Sequence, residues 1–543
     1  MPGKRRKMDD ASGKPSLESL FEEIRASLAI VKPVLAQIEQ KEARDVAQAL
    51  HSIAKLAESF TKLRNASDEI VAETFIDQLD VEGVGLWNMS IFMAKNDDVP
   101  TEVFAAVRYA GFRLIEAGLD ANPSQQALVT ILELSSKVGM AFAAVDAELA
   151  DEVLTNAASY ERSLNVLPHS IDPSAAQNRA RATVVYYTSR MEAAWKQNNL
   201  DVATYMQKKI NDHQLELLLP RDVEFVVSKL VEIGISLLKS KDDNEADARR
   251  AQNAIPWLQR ALTIVDKSSG DPVWLSGRRR AILRNLARAY YISSTDHPEH
   301  LDRTDVALKE CLADLDKSED PSIEEYQQLR WMCLALYKKR KTTNDELLKI
   351  LLPLIDDSAL DEDAIQDILL ELRGISRSHS DIVSQALQRL LQRTLQSVDG
   401  HPVADKVLFA LVMHMRTVPD HDTCINAIRA ALDEVAACEG YNFDRTCAFA
   451  FLTTFWQFGD HYYDRKRWSH AADWYLLGTN PVFEVAADVT GSKCLRKAAL
   501  CRINDKEYAS AKILIGQCPT TEAPTCYLKF LVAVNQGLFS VSS

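Results

Sequence analysis

Residues 455–478 read FWQFGDHYYDRKRWSHAADWYLLG. Phe455, Gly459 and Tyr462 follow one another at gaps of four and three. Ala471, Tyr475 and Gly478 repeat those gaps nine residues further on. Positions i, i+4 and i+7 share one face of an α-helix, so the stretch predicts two short amphipathic helices joined by a tight turn. Small residues at 459 and 471 let the two helices approach closely, and the aromatics fill the space beside them. This is the spacing of a tetratricopeptide repeat, a helix–turn–helix unit of about 34 residues. One such unit cannot bury its apolar face alone, which implies a stack of them. The expected fold class is therefore all-α: a tetratricopeptide-like helical-repeat solenoid, an α-superhelix. Stacks of this kind are binding surfaces far more often than enzymes.

Working outward, the following unit carries Leu495, Ala499, Tyr508, Ala511 and Ile515, with Ala499 and Ala511 again 12 apart. The NPVFEVAADVTG stretch between the two units reads as a linker a few residues longer than usual. Upstream, Leu230, Gly234 and Leu237 fit a first helix, and Ala254, Leu258 and Ala261 a second. Leu283, Ala287 and Tyr290 fit another first helix, with Ala307 and Cys311 in its partner. In these two pairs the small residues lie 20 apart, an excess of eight, with a period of 53 between Gly234 and Ala287. Residues 322–440 read as helical but poor in repeats, with Pro353, Gly374, Gly400 and Pro419 as expected breaks. Residues 69–220 read as further helices, for example Val103–Glu116 and Ala127–Leu149, with a degenerate helix–turn–helix over Met191–Ile210 around Asn198-Asn199-Leu200. At the start, Ser19 and Glu22 are expected to form a capping box, and Pro33 to interrupt or kink the first helix. The organisation expected is a basic tail at 1–15, degenerate helical repeats at 16–220 and a clearer repeat region at 221–543. The last apolar helix, Cys526–Leu538, has no polar cap after it, and truncation of the stack is the expectation drawn from that.

The 543 residues are too many for one compact core and ordinary for a solenoid. Gly and Pro are scarce, at 18 each, and alternating β-branched runs are rare, as suits helices. A net charge of −14 argues against DNA binding through the whole surface, so direct DNA contact is not expected. All nine cysteines lie from Cys311 onward and none forms a Cys-x-x-Cys pair. The reading is a reduced compartment, with most thiols buried as small hydrophobes. No run of 18 apolar residues is present, so no membrane span is expected. Lys4, Arg5, Arg6 and Lys7 read either as a nuclear import signal or as a solvated tail.

No motif for catalysis emerges. His297 and His300 lack a third ligand at metal-like spacing, and a loop histidine pair is the expectation. Gly83-Val-Gly85 lacks a third glycine and a following strand, so no nucleotide site is expected there. GxxxxGK[ST], HExxH and GxSxG are absent. Cys494 and Cys501 sit seven apart and read as packing residues. No enzyme, cofactor, metal or small-molecule substrate is therefore expected. The candidate residues are partner-binding ones. Arg280, Arg284 and Arg288 recur every four residues on one helix face, preceded by Arg278 and Arg279. They either pair with carboxylates or phosphates of a partner or form a solvated face. Trp456, Asp460, Tyr463 and Asp464 occupy groove positions of the 455–478 unit. They either receive a basic, partly apolar peptide or pack against the neighbouring repeat. Asn285 and Arg284 match part of a carboxylate clamp, but Glu232 and Ile235 do not complete it.

The segments AIPWLQRALTIVD (254–266), RRRAILRNLARAYY (278–291), WYLLGTNPVF (474–483) and SKCLRKAALC (492–501) resemble the fungal meiotic Spo-twenty-two or Zip-four family, whose animal relative is the testis-expressed-eleven protein. The resemblance covers about 220–538, and the Asn-Pro-Val-Phe exit followed by SKCLRKAALC is its most specific part. It implies a tetratricopeptide-repeat scaffold of meiotic prophase I that promotes crossovers and links them to synaptonemal complex assembly. It further implies a place in the synapsis-initiation complex with an XPF-like heterodimer, and thus a location in the nucleus on meiotic chromosomes. Members of that family extend past the point where this chain stops. The competing reading is a general repeat adaptor, such as a co-chaperone or a subunit of a large ligase or transport complex.

Overall fold

A computed structural model describes residues 16–35, 43–66, 73–93, 99–120, 122–168, 172–239, 246–318, 321–340, 342–441 and 443–536. Lys4–Lys7 and the rest of the 1–15 tail lie outside the described residues. Among those residues every regular element is helical, in agreement with the all-α expectation, and no helix is long and apolar enough to cross a membrane. The chain divides into two compact units, Met1–Asp296 and His297–Ser543.

The first unit holds α1 (Leu17–Leu35), α2 (Ala43–Ala66), α3 (Glu73–Met93), α4 (Thr101–Ala117), α5 (Gln125–Phe142), α6 (Ala147–Val166), α7 (Pro173–Lys196), α8 (Leu200–Lys209), α9 (Asp212–Glu216), α10 (Pro220–Lys239), α11 (Asp247–Lys267) and α12 (Pro272–Ser293). Most of its helices pack on helices one or two along the chain, with α7 reaching α10 past the short α9. Such local packing is what a linear stack of helix pairs requires.

Caps fix many of the helix starts. Ser16 Oγ accepts from Ser19 N at 3.1 Å, so the first cap is Ser16 and the expected Ser19–Glu22 box does not form. Pro33 lies inside α1, which continues through it to Leu35. The expected helix Ala127–Leu149 is two helices, because Asp146 accepts from Leu149 N at 3.0 Å and starts α6. Asp172-Pro173 and Asp271-Pro272 start α7 and α12 with an acidic cap and a proline in the first turn.

Glycines mark several close helix crossings in the first unit. A Cβ on Gly83 would lie 2.7 Å from Ile115 Cγ1 and 2.8 Å from Gly111 O, so this glycine brings α3 against the backbone of α4. Its purpose is helix approach, and the Gly83-Val-Gly85 pattern holds no phosphate loop. A Cβ on Gly234 would lie 2.8 Å from Leu258 Cδ2, confirming the expected close crossing of α10 and α11. The eight additional residues lengthen the helices: α10 has 20 residues and α11 has 21. A polar network lies between α2, α4 and α6. Arg113, with only 3% of its side chain exposed, contacts Glu116 at 2.8 Å, Glu152 at 3.3 Å and Glu58 at 3.9 Å.

The second unit holds α13 (His300–Leu315), α14 (Ile323–Arg340), α15 (Asn344–Asp357), α16 (Glu362–Ile375), α17 (Ser380–Gln396), α18 (His401–Met415), α19 (His421–Ala437), α20 (Arg445–Asp464), α21 (Trp468–Leu477), α22 (Ala487–Asn504), α23 (Tyr508–Gly516) and α24 (Ala523–Asn535). The expected pairing of Ala287 with Ala307 falls across the division. Inside their own units α12 packs on α11 and α10, and α13 packs on α14. Pro353 is no break, since α15 runs through it to Asp357. Gly400 and Pro419 do fall between helices, Gly400 in a 3-10 turn where a Cβ would lie 2.6 Å from Thr394 O. The Asn480-Pro481-Val482-Phe483 exit is a 3-10 turn over Pro481–Ala486, and α22 starts at once after it, so the linker is shorter than its sequence suggests. Phe483 is buried against Phe443, Phe451 and Phe455, with ring centroids 5.4 to 6.4 Å apart across the four-ring cluster where they meet edge-on or tilted.

Candidate functional site

The site helices begin with a cap. Asp444 Oδ2 accepts from Thr446 N at 2.8 Å and Cys447 N at 3.3 Å, and the bonds from Thr446, with those from the backbone, hold its carboxyl below the usual range. Gly459 then faces α21: a Cβ there would lie 2.5 Å from Tyr475 Cε1. The turn into α21 puts Lys466 at φ +62°. Lys466 N bonds Tyr463 O at 2.9 Å and Arg467 N bonds Tyr462 O at 3.0 Å. The same turn recurs at Lys506-Glu507 and at Asn198-Asn199, each with one residue at positive φ followed by an i−5 backbone bond. A buried alanine follows each by five residues, at Ala203, Ala471 and Ala511. The degenerate pair at Met191–Ile210 thus has the geometry of the two clear units.

The groove positions of this unit converge on one cation from the next. Lys497, on α22, places Nζ 5.2 Å from the ring centre of Tyr463, 5.4 Å from Trp456 and 5.6 Å from Tyr475. It donates to Asp460 Oδ1 at 3.2 Å, and the Tyr475 hydroxyl donates to the same oxygen at 2.5 Å. Burial raises the Tyr475 pKa, and the Asp460 carboxylate raises it further, so the phenol stays a donor. The rings hold one another: Trp456 meets Tyr475 edge-on at 5.3 Å, and Tyr463 meets Trp468 at 4.8 Å. Cation–π contacts of this range each contribute about 0.5–2 kcal/mol, depending on desolvation. Of the four expected groove residues, three (Trp456, Asp460 and Tyr463) therefore surround a lysine of the same chain, and Asp464 is exposed one turn further along α20.

Beside this cage, α19, α21 and α22 meet through a second polar group that sequence reasoning missed. His421 Nε2 lies 3.2 Å from Asp473 Oδ2, and Arg502 Nη2 donates to Asp473 Oδ1 at 3.1 Å. The His421 and His470 rings are 4.0 Å apart. Burial lowers the His470 pKa, and repulsion from His421 and Arg467 adds to it.

In the first unit Arg280, Arg284 and Arg288 lie on α12 as expected. Arg280 and Arg284 are half-buried, Arg288 is exposed, and Arg280 Nη1 donates to Ser276 Oγ at 2.8 Å. Arg279 pairs with Asp266 at 2.9 Å, and Arg278 lies over the Trp274 ring. The structure keeps this stripe and the Trp456 cage in separate units. Asn285 bonds its own helix, with Nδ2 donating to Ala281 O at 2.7 Å.

The other chemical candidates lie at the start of α13 and on α22. The His297 and His300 ring centres are 5.1 Å apart, and His297 Nδ1 pairs with Glu299 at 3.3 Å. Among the described residues no group of three His, Cys, Asp or Glu side chains is arranged to hold a metal. Cys494 and Cys501 are buried as expected, and burial pushes their thiols up to about 11 and about 12. Such thiols are poor nucleophiles at neutral pH.

Lys497 was the member of the cage that sequence reasoning missed. The signal was available: it lies two residues before the small position Ala499, on the side of α22 that turns back to the preceding unit.

The family model described as Meiosis protein SPO22/ZIP4 like matches residues 193–480, just over half of the chain. The match takes in the α12 arginines and the α20–α21 pair, and it stops before Lys497. No curated protein matches the chain.

Proposed function

The chain belongs to the SPO22/ZIP4-like family of meiosis proteins, and from that premise we propose that it is a non-enzymatic protein-interaction scaffold of meiotic prophase I. In this reading it acts in the nucleus on meiotic chromosomes, where it promotes crossover formation and synaptonemal complex assembly. The observation that carries the proposal is the family match, laid over packed pairs of helices. Such surfaces suit helices or extended segments of protein partners. Deletion of the gene is expected to lower spore viability or fertility and to reduce crossover counts. Normal crossover numbers in the deletant would remove the meiotic reading, and a growth defect in vegetative cells would favour a general adaptor.

The arginine stripe makes a narrower prediction. Replacing Arg284 and Arg288 with glutamate reverses the charge on one face of α12 while keeping residues that tolerate a helix. The expected result is loss of at least one acidic partner from a pull-down, with the circular dichroism spectrum unchanged. Retention of every partner would reduce the stripe to solvated surface.

A further inference from the structure

We propose that Trp456, Tyr463, Tyr475 and Asp460 form a receptor for a lysine side chain, that Lys497 is its resident guest, and that a lysine carried by a basic partner segment takes its place. The inference rests on the scaffold reading and names the chemistry one part of the groove selects.

The cage and its guest differ in how firmly they are held. Tyr475 is buried beneath Gly459, and its hydroxyl is tied to Asp460. Trp456 and Tyr463 are braced edge-on by Tyr475 and Trp468. The receptor is thus built on the core of the α20–α21 pair. Lys497 reaches it on a flexible four-carbon stem from another helix. The site is also open: the Asp460 side chain is 43% exposed and that of Lys497 is 32% exposed. An incoming ammonium can reach the carboxylate without unfolding a helix. The exposed Asp464 and the net charge of −14 favour the approach of basic segments.

The geometry also selects among cations. Lys497 Nζ lies at hydrogen-bonding distance from Asp460, so the site uses an N–H as well as the ring faces. A trimethylated ammonium keeps its charge but has no N–H to give, and its methyl groups hold the carboxylate further off. An unmethylated lysine is the fitting ligand. The tethered guest competes with any such ligand at a high effective concentration, in the millimolar range for short flexible tethers. Only a partner with additional contacts along the groove displaces it, which makes Lys497 a filter against isolated lysines.

The test uses the full chain and three acetylated, amidated peptides of the form Gly-Gly-Xaa-Gly-Gly, with lysine, trimethyl-lysine or norleucine as Xaa, followed by calorimetry. Lys497→Met removes the charge that holds the guest on Asp460 and the rings, and leaves a flexible thioether that an incoming ammonium can displace. This variant is expected to bind the lysine peptide about tenfold or more tightly than the native chain. Its affinity for the trimethyl-lysine peptide should be several-fold weaker, and the norleucine peptide should not bind. Adding Trp456→Ala to Lys497→Met should abolish lysine-peptide binding while circular dichroism stays unchanged, and Lys497→Gln provides a second opened cage should the methionine variant misfold. Equal affinity of native and opened chains, binding that survives Trp456→Ala, or preference for the trimethyl or norleucine peptide would overturn the assignment. These outcomes leave the crossover phenotype untouched, so the cage and the meiotic reading fail separately.

Discussion

Replacing Arg113 with methionine is expected to lower the unfolding free energy of the first unit by about 3–5 kcal/mol, the range seen when one partner of a buried ion pair is removed. Arg113 contacts Glu116, Glu152 and Glu58, and its Nε also donates to the Tyr109 hydroxyl at 3.3 Å. Burial opposes the guanidinium charge, but the Glu116 carboxylate and Tyr109 outweigh it and raise the pKa. Methionine would keep the contact over the Tyr109 and Phe112 rings that the guanidinium now makes. It would leave Glu116, itself largely buried, without its counter-charge. Tyr160, which donates to Glu116, would stay in place. The measurement is urea unfolding of the full chain, with hydrogen exchange along α4 locating the loss in the first unit. Removing the charges and the hydroxyl together, as Arg113→Met with Glu116→Leu and Tyr160→Phe, should recover most of the loss, because no buried charge is then left alone. An Arg113→Met chain as stable as the native one would mean that water already screens this network.

The second large effect concerns Gly459. Replacing it with leucine is expected to destabilise the second unit by about 1–3 kcal/mol or more, the cost of overpacking a tight contact. A Cβ alone would lie within 2.9 Å of three ring atoms of Tyr475. That ring cannot swing away cheaply, because it is buried and its hydroxyl is held by Asp460. Moving it would also disturb the face that Lys497 covers. The variant should therefore melt earlier and, while still folded, bind no lysine peptide in a Lys497→Met background. An unchanged melting temperature would mean that α20 and α21 cross elsewhere. Alanine at the same position should be milder, since it adds one carbon where leucine adds four.

Both variants probe the α-helical architecture, yet only one of the two positions was legible in the sequence. Gly459 stood out because its spacing to Phe455, Tyr462 and Ala471 is a local pattern, set by the turn length of a helix and the width of one crossing. Gly234 was legible for the same reason. Arg113 gave no such signal, because its partners Glu58 and Glu152 are brought from other helices and share no period with it. Gly83 looked like a fragment of a loop motif, and only the backbone of Gly111 beside it reveals a helix crossing.

The sequence by itself determined the all-helical class, the small residues at the α10–α11 and α20–α21 crossings, and the resemblance to the meiotic family that the match over 193–480 bears out. All of these are readable because helical periodicity and short motifs are properties of neighbouring residues. Tertiary structure alone decided what Trp456, Asp460 and Tyr463 meet. Lys497 stands 37 residues from Asp460, and its side chain meets three rings and a carboxylate only because α22 stacks on α21 at one particular place. A lysine in a helix looks like any solvated lysine until the adjoining unit is set beside it.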